Sequence, residues 1–451
     1  MTEQEVDYNE IVELMKMDAQ ERSEIRQRDG YRKILQSCEQ AKKDGYKWLW
    51  VDTCCIDKRS SAELSEAINS MYRWYENSSV CYAYLHDLHG PSFPTARNNE
   101  RYRKSRSWPE WFSRGWTLQE MIAPRDLRFF NKDWHPIGDK KTLSPILKDI
   151  TGVPQDILKE GLSSNRPCVA QIMSWAANRT TTRVEDRAYS LMGLLDVNMP
   201  MLYGEGKKAF HRLQLEIIRT SNDQSVFAWG WRSPVRSGSI LADDPSFFSD
   251  CGHMELMNRD EFIESLGSEA PEGELPSIED DRFGTFPITN RGIQIWLFLR
   301  RLASDSVFEA LLPCRSHPSD SPVTIDVALW ESNYYRCAGW TYRGWGRLQL
   351  RQVYLRYQAT PHCNSTFEID DCAITKSGFQ GVIAENTVTR IDTDVVDLKL
   401  YSESRGNRFV VGFGHWLDQN WIHVTCQDPV FLWDPHDLQL FAEIMSVAKY
   451  L

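Results

Sequence analysis

The chain has 451 residues, 41% of them hydrophobic and 12% aromatic, with a formal net charge of -11. That length suits two or three domains at roughly 100–200 residues each, and the apolar content excludes a chain disordered throughout. The acidic balance argues against a nucleic-acid binder, which usually carries a basic face.

Residues 1–45 read as helical: Tyr31, Ile34, Leu35, Cys38 and Ala41 recur at helical spacing, and Gly45 follows as a stop. Residues 47–52, a nearly continuous apolar run, predict a short strand buried on both faces. Ser60 and Glu63 stand at capping-box spacing, ahead of an apolar helix face made by Leu64, Ile68, Met71 and Tyr75. A second buried strand is predicted over 79–85. A charged loop over 87–107 then leads to a Trp-rich helix over about 109–123, closed by Pro124, and to a third strand at Leu127 to Phe130. Strand–helix alternation of this kind predicts an α/β unit with a parallel sheet.

Residues 141–224 read as mostly helical, ending in a turn over Met201–Gly206 and a helix from Lys207 to Arg219. Residues 233–283, rich in Gly, Pro, Ser and acids, read as loops. Beyond them Ile293–Leu299, Val323–Trp330, Leu348–Tyr357, Phe409–Phe413 and Trp421–Thr425 predict a β-rich C-terminal domain, closed by a helix at about 437–449. No internal repeat of fixed period is visible.

The start, Met1-Thr2-Glu3-Gln4-Glu5-Val6-Asp7, has neither the basic nor the apolar part of an export signal. No apolar run reaches the ~18–20 residues of a membrane span, so a cytoplasmic protein is expected. The 11 cysteines are expected as reduced thiols. They form no CxxC, and Cys314 with His317, or His362 with Cys363, lacks a second ligand pair, so no metal site is expected. No Walker-type GxxxxGK or GxGxxG run occurs.

Among candidate site residues, Glu120 ends the run Ser113-Arg114-Gly115-Trp116-Thr117-Leu118-Gln119-Glu120, and Trp116 precedes it by one helical turn, on the same helix face. Trp111 and Trp116 weigh more heavily as core residues than as stacking platforms. Asp52, at the C-terminal end of a predicted strand, stands where ligands bind in open α/β sheets. It and Asp57 also fit plain turn or helix caps. Cys54-Cys55 reads as a pair of buried, inert thiols rather than a nucleophile. Glu185-Asp186-Arg187 reads as structural ion pairing.

Four ordered blocks, Trp48–Lys58, Ala62–Met71, Ser113–Pro124 and Phe129–Trp134, resemble the heterokaryon-incompatibility (HET) domain family of fungi. Met173–Trp229 resembles the region that follows the domain, and the likeness covers roughly residues 30–230. The resemblance implies a Toll/interleukin-1 receptor (TIR)-like parallel sheet wrapped by helices over 1–140, a helical extension over 141–230 and a β-rich accessory domain over 231–451. The family's earlier strand, with a Ser-His-Thr-Trp-Gly-like run, has no counterpart before Tyr31. The resemblance therefore implies an N-terminally incomplete domain, through a shortened chain, a substitute segment or degeneracy.

It further implies non-self recognition and cell-death signalling, with NAD as substrate rather than any bound cofactor. Glu120 matches the glutamate of the TIR motif Trp-Cys-x-x-Glu, with Thr117 in place of Cys. Trp116, Asp52 and Ser113 are the residues implied to contact the nucleotide. Two readings stay open: an NAD glycohydrolase centred on Glu120, and a non-enzymatic module that self-associates or docks an unknown protein partner over a vestigial pocket.

Overall fold

Asp7 and Asp18 each accept a hydrogen bond from the backbone of the helix that follows and are bonded in return by Glu10 and Glu21, so two capping boxes start the helices Tyr8–Glu13 and Ala19–Gln27. A third helix, Asp29–Lys43, completes the expected helical start. Val6, Leu14 and Ile25 form its small core, with Tyr31 and Ile34 packed against them.

The computed structural model describes residues 5–357, apart from 15, 163–165, 232–238, 268–284, 303–306, 318–320, 331 and 337–345, and the later strand positions 379–382, 395–403, 408–416 and 419–425. The expected closing helix at 437–449 lies outside the described residues. The chain divides into two units. The first comprises Met1–Pro167, Ile172–Ile217 and Asp244–Ser246; the second comprises Cys168–Gln171, Ile218–Asp243 and Phe247–Leu451.

In the first unit, the segment expected as a strand at 47–52 is not one. The Val51 carbonyl accepts the Cys55 N–H at 2.9 Å, and the Val51 N–H reaches the Cys55 sulfur at 3.4 Å. That local turn uses the groups a ladder would need, and Trp48 is left 92% exposed. The apolar composition suited a buried strand, but the backbone closes on itself. The helix Ser61–Glu76 follows as expected, with Ser60 accepting the Glu63 N–H, although the Glu63 carboxylate turns to the Asp57 N–H instead of closing the box.

The sheet of this unit has three strands: β1 (Cys81–Tyr84), β2 (Leu127–Phe130) and β3 (Pro136–Asp139). β1 and β2 are parallel, and β2 and β3 are antiparallel, so the sheet is mixed rather than purely parallel. Phe129 and Phe130 of β2 are fully buried, and rings of Phe93, Trp111 and Phe112 gather around Phe129.

The single helix expected over 109–123 is broken into a 3-10 turn, Glu110–Ser113, and an α-helix, Thr117–Ile122. Arg114 is extended between them. Gly115 N–H donates to the Thr180 carbonyl at 2.8 Å, and Thr180 N–H donates to Ser113 O at 2.7 Å. A Cβ at Gly115 would come within 2.5 Å of the Thr181 methyl, so any larger residue would have to displace that side chain from the crossing. Sequence periodicity cannot foresee a break made by a segment more than sixty residues away.

The rest of the first unit is helical, as expected: Ser144–Thr151, Gln155–Glu160, Asp186–Tyr189, Met192–Leu195 and Lys208–Thr220. The second unit holds a closed five-stranded barrel, in the order Gln349–Leu355, Ile293–Arg301, Val307–Leu311, Thr324–Trp330, Asn333–Arg336. Ile293, Ile295, Leu297 and Leu299 alternate into its interior. A separate four-stranded antiparallel sheet runs Phe379–Val382, Val395–Glu403, Arg408–Trp416, Gln419–Thr425. The expectation of loops throughout 233–283 is corrected. Pro245–Cys251 is a 3-10 helix, and Arg259–Leu266 is an α-helix started by an Asn258–Glu261 capping box. Phe262 and Leu266 pack that helix on Phe298 and Leu311 of the barrel.

Candidate functional site

Glu120 sits in the first turn of Thr117–Ile122, whose other residues Thr117, Leu118, Gln119, Met121 and Ile122 are all buried. Glu120 itself is half-buried. Its helix is held from below by Arg179, a fully buried guanidinium that donates to the Thr117 hydroxyl at 3.0 Å, the Arg114 carbonyl at 2.9 Å and the Trp175 carbonyl at 3.3 Å. Thr117 in turn donates to the Trp111 carbonyl at 2.5 Å. The Thr117 hydroxyl thus both accepts and donates, linking Arg179 to the Trp111 carbonyl.

The Glu120 carboxyl is pushed up to about 7. Burial is the main cause and Asp52 adds repulsion; Arg114, Lys33 and a hydrogen bond from Trp111 pull the other way. Asp52 is therefore within electrostatic reach of Glu120, although it stands on the 51–55 turn and not at a strand end. Burial draws Arg179 down to about 9, opposed by the charge of Glu120, and its Nη2 is buried without a partner. Tyr75 and Cys81 are raised mainly by burial, with Glu120 contributing.

Trp116 packs beside Ile56, Ala67 and Met71, with Trp50, Leu64 and Tyr75 as neighbours, and its indole donates to Asp186. Ser113 stands apart. Its hydroxyl donates to the Glu110 carbonyl at 2.8 Å, and it lines a cavity of about 360 Å³ whose walls include neither Glu120, Trp116 nor Asp52.

A family model described as heterokaryon incompatibility protein (HET) matches residues 7–108. The vegetative incompatibility protein HET-E-1 of Podospora anserina is 46% identical over 193 residues. The chain carries a HET domain. The match to HET-E-1 takes in 42% of this chain and 14% of that protein. A domain of unknown function (DUF8212) matches residues 208–236. No solved structure matches the chain. The HET model takes in Lys33 and Asp52 and ends before Trp111, Ser113, Trp116 and Glu120, so the site combines residues from within the matched segment with residues beyond it.

Two further corrections concern groups near the HET domain. Cys54 and Cys55 are not buried: Cys54 is half-buried and Cys55 exposed. A hydrogen bond from Cys54 is the main cause that draws the Cys55 thiol down to about 6, helped by the Val51 N–H, while Cys54 is raised. A vicinal pair gave no sequence signal of that turn. Sequence reasoning also passed over Arg179 as part of a helical block. Its signal lies only in its being an arginine among apolar neighbours, Trp175, Ala176 and Ala177.

Glu185, Asp186 and Arg187 are structural, as expected. Glu185 accepts the Gly204 and Gly206 N–H groups at 2.8 and 3.0 Å, and Asp186 accepts from Tyr203. Arg187 pairs with both oxygens of Asp244 at 2.6 and 2.9 Å. Asp57 is a local cap for Arg59. No cluster of metal-ligating side chains occurs among the described residues, and none of their helices is long and apolar enough to cross a membrane.

Proposed function

We propose that this chain acts in heterokaryon incompatibility, and that its α/β unit, of TIR-like descent, serves that role by cleaving NAD. The observation that carries the reading is Glu120: a half-buried carboxyl lifted to about 7, with a second carboxylate, Asp52, in electrostatic reach and an indole N–H directed at it. Such a group changes its charge near neutral pH, as a working carboxylate does. The parallel pairing of β1 and β2, with Thr117–Ile122 in the crossover between them, supports the TIR-like descent.

The chemistry needs little more. The bond between ribose C1′ and the nicotinamide nitrogen breaks, its electron pair stays with the nitrogen, and nicotinamide leaves neutral. The sugar passes through an oxocarbenium-like state, as in glycoside hydrolysis, and ionised Glu120 stabilises that positive charge. Water adds at C1′ and releases a proton, giving ADP-ribose. Burial, with Asp52 adding repulsion, keeps the Glu120 carboxylate high in energy and so ready to meet a cation.

The test is nicotinamide release from NAD by the purified full chain beside Glu120→Gln. The reading expects release that falls by roughly 100-fold or more in the variant, the scale of losing one electrostatic stabiliser. No release by a folded wild-type chain, or equal release by both proteins, would sink it.

A further inference from the structure

The 97–107 loop holds a concentration of positive charge that the proposed function leaves unused. In a chain of net charge -11, Arg97, Arg101, Arg103, Lys104 and Arg106 stand within ten residues, against Glu100 alone. Arg101 is spent: it donates to the Asp87 carbonyl and lies over the Tyr102 ring. Arg97 and Arg106 have no hydrogen-bond or ion-pair partner among the described residues, and both line the cavity of about 360 Å³.

The loop that presents them is closed by its own backbone. Asn98 N–H donates to Ser107 O at 2.9 Å, and Ser105 and Ser107 N–H both donate to Tyr102 O. This winding holds Arg106 and Ser107 at φ 56° and 74°, a left-handed conformation that side-chain-bearing residues seldom adopt twice in succession. Held strain of that kind collects at binding sites, where it fixes the direction of a side chain.

The cavity's chemistry is divided. Arg97, Arg106 and Asn178, all exposed, offer donors, while the hydroxyls of Ser107 and Ser113 beside them already donate to Asn99 and to the Glu110 carbonyl. Trp108 and Phe112, both buried, and Ile150 supply an apolar side. Two guanidinium groups suit the oxygens of a phosphate, and an aromatic surface suits a planar ring. The volume falls in the range of small-molecule sites.

We propose that this cavity is a binding site for a nucleoside monophosphate, with Arg97 and Arg106 on the phosphate and Trp108 and Phe112 on the base side. Glu120 is not among its walls, so the site is separate from the one proposed for cleavage and does not depend on it.

The experiment is calorimetric titration of the full chain with AMP, inorganic phosphate and adenosine. AMP should bind, phosphate should compete with it, and adenosine should bind roughly tenfold more weakly or worse, the scale of losing a charge-assisted hydrogen bond. The double variant Arg97→Gln/Arg106→Gln should lose AMP affinity to the same extent. Arg106→Gly, which removes the guanidinium while relieving the left-handed backbone, should stay folded by circular dichroism and still lose affinity. Glu120→Gln should bind AMP as the wild type does. The site is overturned if the folded wild type takes up no AMP at millimolar concentration, if adenosine binds as well as AMP, or if the arginine variants bind AMP unchanged. Phosphate binding as tight as AMP would overturn the nucleoside part and leave a bare anion site.

Discussion

The two units of this chain hold themselves together by different means. The second rests on alternation: every other residue from Ile293 to Leu299 enters a closed barrel that leaves no open edge. The first buries charged and polar groups that must be satisfied one by one. Lys140 is wholly buried on the Ile122 and Pro124 carbonyls, and buried Arg179 donates to the Arg114 and Trp175 carbonyls and the Thr117 hydroxyl. Glu185 is bound by two glycine N–H groups. The barrel's buried charge, Arg336, serves the same purpose more simply: it donates to the Phe227 and Trp229 carbonyls and lies 4.6 Å over the Trp229 ring. Apolar packing tolerates substitution by volume. A buried polar network tolerates little, because each lost partner leaves a desolvated group unpaired.

The sharpest break in that comparison comes at Arg187, which binds both Asp244 oxygens and also donates to the Ala176 and Arg179 carbonyls. Arg187→Ala strands a half-buried carboxylate and should cost about 3–5 kcal/mol, read from urea unfolding. A loss under about 1 kcal/mol would show that the first unit does not depend on this pair.

Next comes Gly193, where a Cβ would lie 2.1 Å from Cβ of Tyr72. Backbone and ring stem cannot both yield, so Gly193→Ala should cost at least the roughly 1–3 kcal/mol of an overpacked core. Thermal unfolding of the variant checks this, and an unchanged midpoint would mean that the helix Met192–Leu195 is free to shift.

The smallest effect sharpens the comparison most. The folded Glu120 carboxyl keeps its proton up to about pH 7, whereas an unfolded one releases it near 4.5. The native state therefore binds more protons between these values and loses stability as pH rises through them. Glu120→Gln should match the wild type at pH 4 and be more stable by about 2 kcal/mol at pH 8, the roughly 3 kcal/mol of the full shift being reduced by solvent screening at a half-buried group. Equal stability at both pH values would mean that Glu120 is solvated like any surface carboxylate.

What could be read from the chain follows the same division. The barrel strands Ile293–Arg301, Thr324–Trp330 and Gln349–Leu355 were legible because their apolar pattern is local and has the period of the strand itself, whereas the short strands Val307–Leu311 and Asn333–Arg336 were not picked out. The helix Arg259–Leu266 was read as loop: Asn258 and Glu261 carry a capping-box signal, but the acidic, Gly- and Pro-containing stretch around them masked it. In the first unit the reading failed where distant segments intervene: Thr180 breaks the helix at Gly115, and the turn at Val51–Cys55 displaces a strand. Glu120 was visible through its Trp116-to-Glu120 spacing. Arg179 was not, since nothing in the sequence ties it to a helix some sixty residues earlier. Asp52 was picked for a strand end that does not exist, yet the turn it occupies brings it within electrostatic reach of Glu120.

The most direct measurement is the rate of nicotinamide release from NAD between pH 5 and pH 9, in the wild type and in Glu120→Gln. If Glu120 is the working carboxylate, the wild-type rate rises with pH through an inflection near its value of about 7 and then levels, while the variant stays low and flat. A wild-type profile with no inflection in that range, or one that Glu120→Gln shares, would contradict the account.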